Sequence, residues 1–381
     1  MLWYFSPLLN LLLLVTSPCL AEQATSPLAV HMTAVVQTEL HGPLSLAHDV
    51  PVPIAAPGEV LIRVHYTALN RMDLLQAKGR YPLPPGTSDI LGVEVSGVVV
   101  AAPTGSRLQE GDEVMALLPG GGYAEYCVCD ERTVTPVPAG LSLLTASALP
   151  EAFMTAYQLL FLVARLQPGE TVLMHAAASS VGQAAIQMAV HKGARVLVTT
   201  RSPQKLDTCL SLGAAGGVVV GPDRAFADEV LAMTGEAGVH VVLDPVGADY
   251  LQENLRALQT DGRLVSYGLL SGGVVPPELN SQSPTLLQQL LFKRVSLLGS
   301  TLRAREVSYK HDLLGALLRD QEAGFPAVSA GHVRVNVSLV LPLSEVVQAH
   351  EVMQRNENSG KIVLEVLAEG GAGWSPATRE L

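Results

Sequence analysis

One stretch of the chain, residues 171–205, constrains the fold more than any other because it contains a complete strand–turn–helix–strand unit. Residues 171–175 form a short apolar run of the kind found in buried parallel strands. Small residues follow, and apolar positions then recur at helical spacing until Gly193 ends the pattern. A second apolar run at 195–199 completes a βαβ unit of about thirty residues. The spacing predicts a tight turn aimed at the N-terminus of a helix.

This turn is the predicted binding site for the pyrophosphate of a dinucleotide, because backbone N–H groups and the positive helix end face an anion there. Gly182 is the one clear glycine of the usual pattern, and it lets the helix pack closely on the strand. Ser179, Ser180 and Val181 form the turn, and the two hydroxyls can add donors. Ala177 is expected to keep a negative φ, since only glycine adopts positive values freely. The alternative is an ordinary βαβ turn without a ligand.

The end of the second predicted strand indicates which cofactor binds. An Asp or Glu about twenty residues past the glycines normally holds a free ribose 2′-hydroxyl. Here the segment holds Thr200, Arg201, Ser202 and, one turn later, Lys205. Arg offers a planar fork suited to phosphate and Lys a point charge, so the segment favours NADPH over NADH. Two alternatives stay open: Ser202 is an N-cap before Pro203, and Arg201 is an ordinary surface charge.

The rest of the chain places this unit in a two-domain protein. With 381 residues, of which 48% are hydrophobic and 15% charged, the chain is long enough for two globular cores. Residues 32–129 carry β-rich runs separated by Pro and Gly, which predict a small β-domain ahead of the nucleotide-binding domain. After Lys205 strands and helices alternate, and a run at 295–300 completes a predicted six-stranded parallel sheet. Asp244 and Gly268 end two of these strands, where ligands of open α/β sheets bind.

Net charge and the chain ends bear on partners and compartment. The formal charge of −11 argues against a nucleic-acid partner. Residues 1–31 form a leader whose apolar core follows no Lys or Arg and is too short for a stable membrane span. We predict a cytoplasmic protein whose functional chain begins at Met32; the alternative is the secretory pathway, with residues 1–21 as a signal peptide. The tail at 368–381 is expected to be disordered.

Several stretches outside the βαβ unit are distinctive. They are TALNRMDLLQAKGRYPLPPG (67–86), ILGVEVSG (90–97), ALLPGGGYAEY (116–126), LPEAFMTAYQLL (149–160), LLFKRVSLLGSTLR (290–303) and GKIVLE (360–365). Together with the order β-domain, Rossmann domain and return, they resemble the zinc-free quinone oxidoreductases of the medium-chain dehydrogenase/reductase family. The resemblance is strongest to the tumour-suppressor-inducible branch and weaker to ζ-crystallin, and it covers residues 32–366.

The resemblance implies an α/β protein with two domains. A doubly wound Rossmann domain that binds NADPH would span 153–300, and a GroES-like β-rich catalytic domain would combine 32–152 with 301–367. The family's zinc enzymes carry a Gly-His-Glu ligand motif, whereas residues 92–94 read Gly-Val-Glu here, so no metal is expected.

The resemblance also implies partners. The substrate would be a small-molecule quinone. Two copies of the chain would form a homodimer through the edge strand at 295–300, because an exposed apolar edge pairs readily with a copy of itself. Arg294 and Arg303 are expected to flank that seam.

A set of cleft residues follows from the same resemblance. Asn70 and Asp73 would line the cleft, while Tyr81 and Ser179 match residues credited with quinone and cofactor handling. Alternatives are that Asn70 only caps a helix, that Asp73 is structural, and that Tyr81 is a loop anchor. The predicted catalytic residues are Tyr81, Asn70 and Ser179, and the predicted cofactor-binding residues are Asn70, Thr155, Ser179, Ser180, Val181, Gly182, Thr200, Arg201, Ser202, Lys205, Asp244, Gly268, Leu302, Gly360 and Lys361.

The mechanism is expected to rest on the cofactor, because no Ser/His/Asp set, paired carboxylates or metal ligands stand out in the sequence. The protein would orient the substrate, and the Tyr81 hydroxyl would donate to a quinone oxygen. Two other functions stay open. One is reduction of enals, enones or enoyl thioesters, which uses the same hydride geometry, and the other is a non-catalytic role that retains NADPH binding.

Overall fold

The computed structural model describes residues 29–39, 42–275, 277 and 284–367. Nearly all of the predicted leader, up to residue 28, and all of the predicted tail, from residue 368, lie outside the described residues. Fifteen strands occur in the described part: β1 (His31–Gln37), β2 (Leu44–Pro51), β3 (Glu59–Ala68), β4 (Glu94–Ala101), β5 (Glu113–Leu117), β6 (Tyr126–Asp130), β7 (Val134–Pro136), β8 (Thr171–Met174), β9 (Arg195–Thr200), β10 (Gly216–Val219), β11 (Val239–Asp244), β12 (Leu258–Ser266), β13 (Ser296–Gly299), β14 (Val337–Pro342) and β15 (Lys361–Glu365).

The α-helices of the described part lie between these strands along the chain. They are α1 (Arg71–Ala77), α2 (Leu143–Ala146), α3 (Pro150–Tyr157), α4 (Ser180–His191), α5 (Pro203–Ser211), α6 (Ala227–Met233), α7 (Leu251–Ala257), α8 (Leu286–Lys293), α9 (Val307–Arg319), α10 (Phe325–Ser329) and α11 (Val346–Gln354). Helix α3 is followed directly by a π-helix, Gln158–Val163.

The six strands β8 to β13 form one parallel sheet in the order β10-β9-β8-β11-β12-β13. This order is the doubly wound Rossmann arrangement, so the predicted six-stranded sheet is confirmed. Its central strands are buried on both faces, as β8 shows with four buried residues in succession, because helices pack on each side. The carboxyl ends of β8 and β9 therefore meet at one edge, beside the N-terminus of α4.

A second, largely antiparallel sheet has the order β14-β15-β3-β4-β5-β7, and β6 also pairs with β3. Its last two strands come from the far end of the chain, so the chain returns to the first domain as predicted. Val363 of β15 pairs with Ala68 of β3 in this return. The fold class is thus the predicted combination of a Rossmann sheet and a GroES-like β-rich domain; the exact domain limits stay predictions.

Candidate active site

The turn between β8 and α4 has the shape of an anion site. Ser179 is the N-cap of α4, and its Oγ accepts a hydrogen bond from the Gly182 N–H at 3.2 Å. Ser180 and Val181 are the first residues of this 12-residue helix, so their N–H groups have no acceptor within it. A Cβ at Gly182 would lie 2.4 Å from the Ala177 carbonyl oxygen, so only glycine permits this approach. The residues present fit the pyrophosphate of a dinucleotide.

The left-handed backbone of this turn falls at Ala176, whose φ is 49°. Ala177 keeps a negative φ, as predicted. The strained conformation is held in place because the Ser179 N–H donates to the Ala176 carbonyl at 2.9 Å. A chain with alanine where a glycine is usual therefore still forms the turn.

The loop before β15 is fastened to the same turn. The Gly360 N–H donates to the Ala178 carbonyl at 2.9 Å, and the Gln183 amide donates to both Ala178 O and Ser359 Oγ. Gly360 has a φ of 97°, and a Cβ there would lie 2.4 Å from the Asn336 carbonyl oxygen. The loop from the end of the chain thus lies against the predicted pyrophosphate site.

A buried polar network lies next to this loop. The Lys361 Nζ donates to Glu94 Oε1 at 2.6 Å and to Asn70 Oδ1 at 2.9 Å, while Asn70 Nδ2 donates to Glu94 Oε1 at 2.8 Å. The side chains of Lys361 and Glu94 are only 1% and 0% exposed. A buried ion pair is tolerable when further hydrogen bonds satisfy it, as Asn70 does here. The network fixes the orientation of the Asn70 amide.

Sequence reasoning missed Glu94, which it treated only as the remainder of a zinc motif. A carboxylate in an apolar strand and a Lys in another were signals of two buried charges, but neither showed that the two side chains pair. Among the described residues, no group of three or more His, Cys, Asp or Glu side chains is placed to hold a metal ion.

Asp73 is fully buried next to the same polar network. Its Oδ2 accepts from the Asn70 N–H at 2.7 Å and from the Tyr123 hydroxyl at 3.2 Å, while Oδ1 has no hydrogen-bond partner. Burial raises the pKa of Asp73 to about 6. Asn70 is the N-cap of α1, so it has both the predicted cap position and a place in the cleft network.

Helix α3 contributes Glu151 and Thr155. Thr155 Oγ1 donates to Glu151 Oε1 at 3.2 Å, and the Glu151 N–H donates to Glu94 Oε2 at 2.9 Å. Burial raises the pKa of the Glu151 carboxyl to about 7, and the nearby Glu94 carboxylate adds to the rise. Glu151 was not predicted as a site residue, although it stands one helical turn before Thr155, which was.

Tyr81 lies beside Arg303, whose guanidinium carbon is 5.6 Å from the centre of the tyrosine ring. Arg303 is buried and donates to the Pro119 carbonyl and to Gln76 Oε1. The prediction that Arg303 flanks a dimer seam is therefore wrong, because the side chain turns into the β-rich domain. Burial and then the Glu151 carboxylate raise the pKa of Tyr81. Its hydroxyl stays protonated and can donate.

Tyr81 also lines a cavity of about 550 Å³. The other lining residues include Gln76, Leu83 and Ile90, but not Asn70, Thr155 or Ser179. The volume suits a small-molecule ligand. The cavity touches the predicted site only through Tyr81, so it extends away from the Asn70 network.

The end of β9 has the predicted polar residues. Ser202 is the N-cap of α5, since its Oγ accepts from the Lys205 N–H at 3.3 Å, and Thr200 Oγ1 donates to Ser202 O at 3.1 Å. Arg201 is exposed. Burial, and then the positive charges of Arg201 and Arg71, lower the pKa of Lys205. Arg71, which sequence reasoning missed, thus brings a third cation near this strand end.

Three other predicted residues lie deeper. The Asp244 carboxylate accepts from the Val246 and Gly247 N–H groups and from the Asn254 amide, so it holds the turn after β11. A Cβ at Gly268 would lie 2.9 Å from the Pro245 carbonyl oxygen. Leu302 is buried in the same apolar cluster as Ala177. Cofactor contact by these residues stays a prediction.

Comparison with known proteins identifies the family. Residues 56–139 match the model of the alcohol dehydrogenase GroES-like domain, and residues 180–316 match that of the zinc-binding dehydrogenases. Quinone oxidoreductase-like protein 2 of the rat is 31% identical over 349 residues, which are 91% of this chain and 95% of the rat protein.

Solved structures agree with this match. A mycobacterial protein in complex with NADPH has a TM-score of 0.76 at 29% identity, covering 88% of this chain and 100% of its own. The CurK enoyl reductase has a TM-score of 0.73 at 28% identity, covering 88% of this chain and 99% of its own. The chain belongs to the medium-chain dehydrogenase/reductase family, among its quinone oxidoreductase-like members. It is an oxidoreductase of a family that uses a nicotinamide cofactor, and the predicted family is confirmed.

Proposed function

We propose that the chain is a zinc-independent reductase that transfers a hydride or electrons from NADPH to small quinones, ortho-quinones among them. The observation that carries the choice of cofactor is the end of β9, where Arg201 and Lys205 stand in place of an acid. A carboxylate there would hold a free ribose hydroxyl, whereas cations hold a phosphate.

Replacing Arg201 by Ala tests this choice. The Michaelis constant for NADPH should rise by about tenfold, as expected for a lost charged hydrogen bond, while that for NADH stays nearly unchanged. Equal weakening of both cofactors would contradict the proposal, because NADH has no 2′-phosphate to lose.

The residues of the cleft suit quinone reduction. NADPH, when bound, supplies the hydride. The turn at Ser179 and Gly182 holds the pyrophosphate, and the fixed amide of Asn70 lines the cleft beside it. Tyr81 stacks on the planar quinone and donates its hydroxyl to the oxygen that gains negative charge, while Arg303 adds a positive charge next to that ring.

A second candidate, reduction of enals, enones or enoyl thioesters, is favoured by Glu151. Saturating a carbon–carbon double bond requires a hydride at one carbon and a proton at the other. Because its pKa is raised to about 7, a fraction of Glu151 is protonated at neutral pH and can donate. The Glu151 carboxylate, after burial, also raises the pKa of Tyr81.

Oxidation of NADPH, followed with an ortho-quinone, an enone and an enoyl thioester in parallel, distinguishes these functions. A preference for the quinone supports the proposal, and a preference for either alkene supports the second candidate. NADPH binding without oxidation by any of the three would indicate the non-catalytic role.

We also propose a homodimer formed at β13, the edge strand of the parallel sheet. Leu297 of that strand is 51% exposed, and the adjacent helix α8 exposes Leu287, Leu291 and Phe292 by 76%, 71% and 67%. Exposed edges and contiguous apolar surface are both features of interaction sites. We call these four side chains the β13–α8 patch.

For the compartment we propose the cytoplasm. Cys127, Cys129 and Cys209 are free and buried, which suits a reducing environment. No helix in the described ranges has the length and apolar content needed to span a bilayer. Mass analysis of the native N-terminus tests the proposal: a start at Met1 or Met32 supports it, and cleavage near Ala21 would contradict it.

A further inference from the structure

Cationic side chains from two domains converge on the segment that ends α11. The Arg71 guanidinium donates from Nη1 to the Met353 carbonyl at 2.8 Å and from Nη2 to Asn356 Oδ1 at 2.6 Å. The Lys205 Nζ donates to the carbonyl of the same Asn356 at 2.6 Å. Asn356, with a φ of 57°, thus lies between a cation of the β-rich domain and one of the Rossmann domain.

Arg201 completes this cluster. Burial lowers the pKa of both Arg71 and Lys205, and the positive charge of Arg201 lowers both further. The three cations therefore repel one another. In the part of the chain that the structure describes, none of the three forms an ion pair with an Asp or Glu. Like charges held together without a counter-charge are unfavourable, and an anion between them removes the repulsion. The cluster therefore has the electrostatics of an anion site.

Arg71 has donors to spare for such an anion. A guanidinium has five N–H donors, and the two bonds to Met353 and Asn356 leave three of them. Those two bonds also hold the planar guanidinium of Arg71 in one orientation, so little side-chain entropy is lost when a phosphate binds. Arg71 directly follows Asn70 at the start of α1, which connects the cluster to the cleft network.

On the basis of the proposed NADPH-dependent function, we infer that Arg71 is a third ligand of the ribose 2′-phosphate, supplied by the β-rich domain. A bound 2′-phosphate would then be held by residues of both domains, Arg71 from the β-rich domain and Arg201 and Lys205 from the Rossmann domain. Binding there also fixes the first turn of α1, whose N-cap Asn70 lies in the cleft. A cofactor without the 2′-phosphate lacks this bridge.

Isothermal calorimetry with three nucleotides tests the inference without any turnover: adenosine 2′,5′-bisphosphate, adenosine 3′,5′-bisphosphate and 5′-AMP. The natural chain should bind the 2′,5′-bisphosphate most tightly. Arg71→Ala and Arg71→Gln should each weaken that binding by about tenfold to a hundredfold and leave AMP within about twofold. Arg71→Lys, which keeps the charge and loses the fork, should be intermediate.

Arg355 offers a matched control. It is a cation next to Asn356, but its guanidinium is engaged by Glu351 and Glu357. Arg355→Ala should therefore change the binding of the 2′,5′-bisphosphate by no more than about twofold. A loss as large as that of Arg71→Ala would overturn the inference. It would show that any nearby positive charge attracts the phosphate and that Arg71 makes no specific contact with it.

Other results would also overturn it. If Arg71→Ala weakens AMP as much as the bisphosphate, Arg71 only braces the Asn356 segment. If the 3′,5′-bisphosphate binds as tightly as its isomer, the cluster is a general anion patch. If Arg201→Ala weakens the 2′,5′-bisphosphate and Arg71→Ala does not, this inference fails while the NADPH preference stands. If the natural chain binds AMP and the bisphosphate equally, the NADPH preference itself fails.

Discussion

At the scale of single residues, Tyr81 has the most direct expected effect on the substrate. It precedes Pro82 in a proline-rich loop, which limits the entropy lost when its ring stacks on a quinone. Tyr81→Phe removes the hydroxyl and should lower kcat/KM for an ortho-quinone by about tenfold to a hundredfold, and Tyr81→Ala should lower it further. NADPH affinity, measured by fluorescence titration, should hardly change in either variant.

The order of the two variants separates the roles of Tyr81. Full activity in Tyr81→Phe with loss in Tyr81→Ala would mean that the ring stacks and the hydroxyl donates nothing. Unchanged activity in both would contradict its place in the site and leave it a loop anchor.

Asp73 gives the stability of the protein a pH dependence. Its folded-state pKa is raised to about 6, above the ordinary value of 3.8, so the protonated form is favoured by folding. The protonated Asp73 therefore adds to the free energy of unfolding. This added stability is fully present below the ordinary pKa and is lost as the pH rises through about 6. Asp73→Asn can keep accepting from Asn70 and Tyr123 without a charge, and it should be more stable than the natural chain at pH 8 by about 2–3 kcal/mol.

Urea denaturation at pH 8 and at about pH 4 measures this difference. The two proteins should converge at the lower pH, where Asp73 is protonated in the folded state. The exposed Asp49→Asn serves as a control and should differ from the natural chain by less than about 0.5 kcal/mol at both pH values. A gain for Asp73→Asn of the same size at both pH values would show that ionisation is not its cause.

At the scale of elements, the contact of α4 with the turn that follows β8 depends on one missing Cβ. Gly182→Ala would place a methyl 2.4 Å from the Ala177 carbonyl oxygen, which is backbone and cannot turn aside. The helix must shift, so we expect the unfolding free energy to fall by about 1–3 kcal/mol. The affinity for NADPH should fall as well, because the shift displaces the N–H groups of the turn. Denaturation and cofactor titration measure the two quantities.

Gly235→Ala is a suitable comparison for that variant. Gly235 lies two residues after the end of α6, and a Cβ added there would meet open space, although its φ of 60° favours glycine. The Gly235→Ala variant should lose stability only through backbone strain and should keep its NADPH affinity. A normal cofactor affinity in Gly182→Ala would show that the close approach does not shape the pyrophosphate site.

Most elements of the Rossmann sheet were predictable from sequence because each is a compact local pattern. The runs predicted as strands at 171–175 and 195–199 match β8 and β9 to within one residue at each end. Helix α8 was missed, although Leu286, Leu287, Leu290 and Leu291 recur at helical spacing. The Thr285–Gln288 capping box was a second local signal. The polar network around Glu94 could not be predicted, because it depends on β4 and β15 lying on either side of β3 although more than two hundred residues separate them along the chain.

At the scale of the whole molecule, the β13–α8 patch predicts the assembly. Light scattering at micromolar concentration should report a dimer. Leu297→Lys combined with Phe292→Asp places charges on the seam and should shift the protein to a monomer with its fold intact. Ile54→Lys, at an exposed apolar position outside the patch, should leave the dimer unchanged. A natural chain that is monomeric at this concentration would contradict the assembly.

The position of β15 between β14 and β3 has a consequence for synthesis. A ribosome makes β3 and Glu94 early, but the strand that pairs with residues 66–68 of β3 and the Lys361 that neutralises Glu94 come almost last. Until then the nascent chain has an open strand edge and a carboxylate whose place in the core lacks its cation. A premature stop codon before Lys361 would therefore do more than shorten a terminus, since it would leave the first-made domain unable to complete its sheet and exposed to quality control.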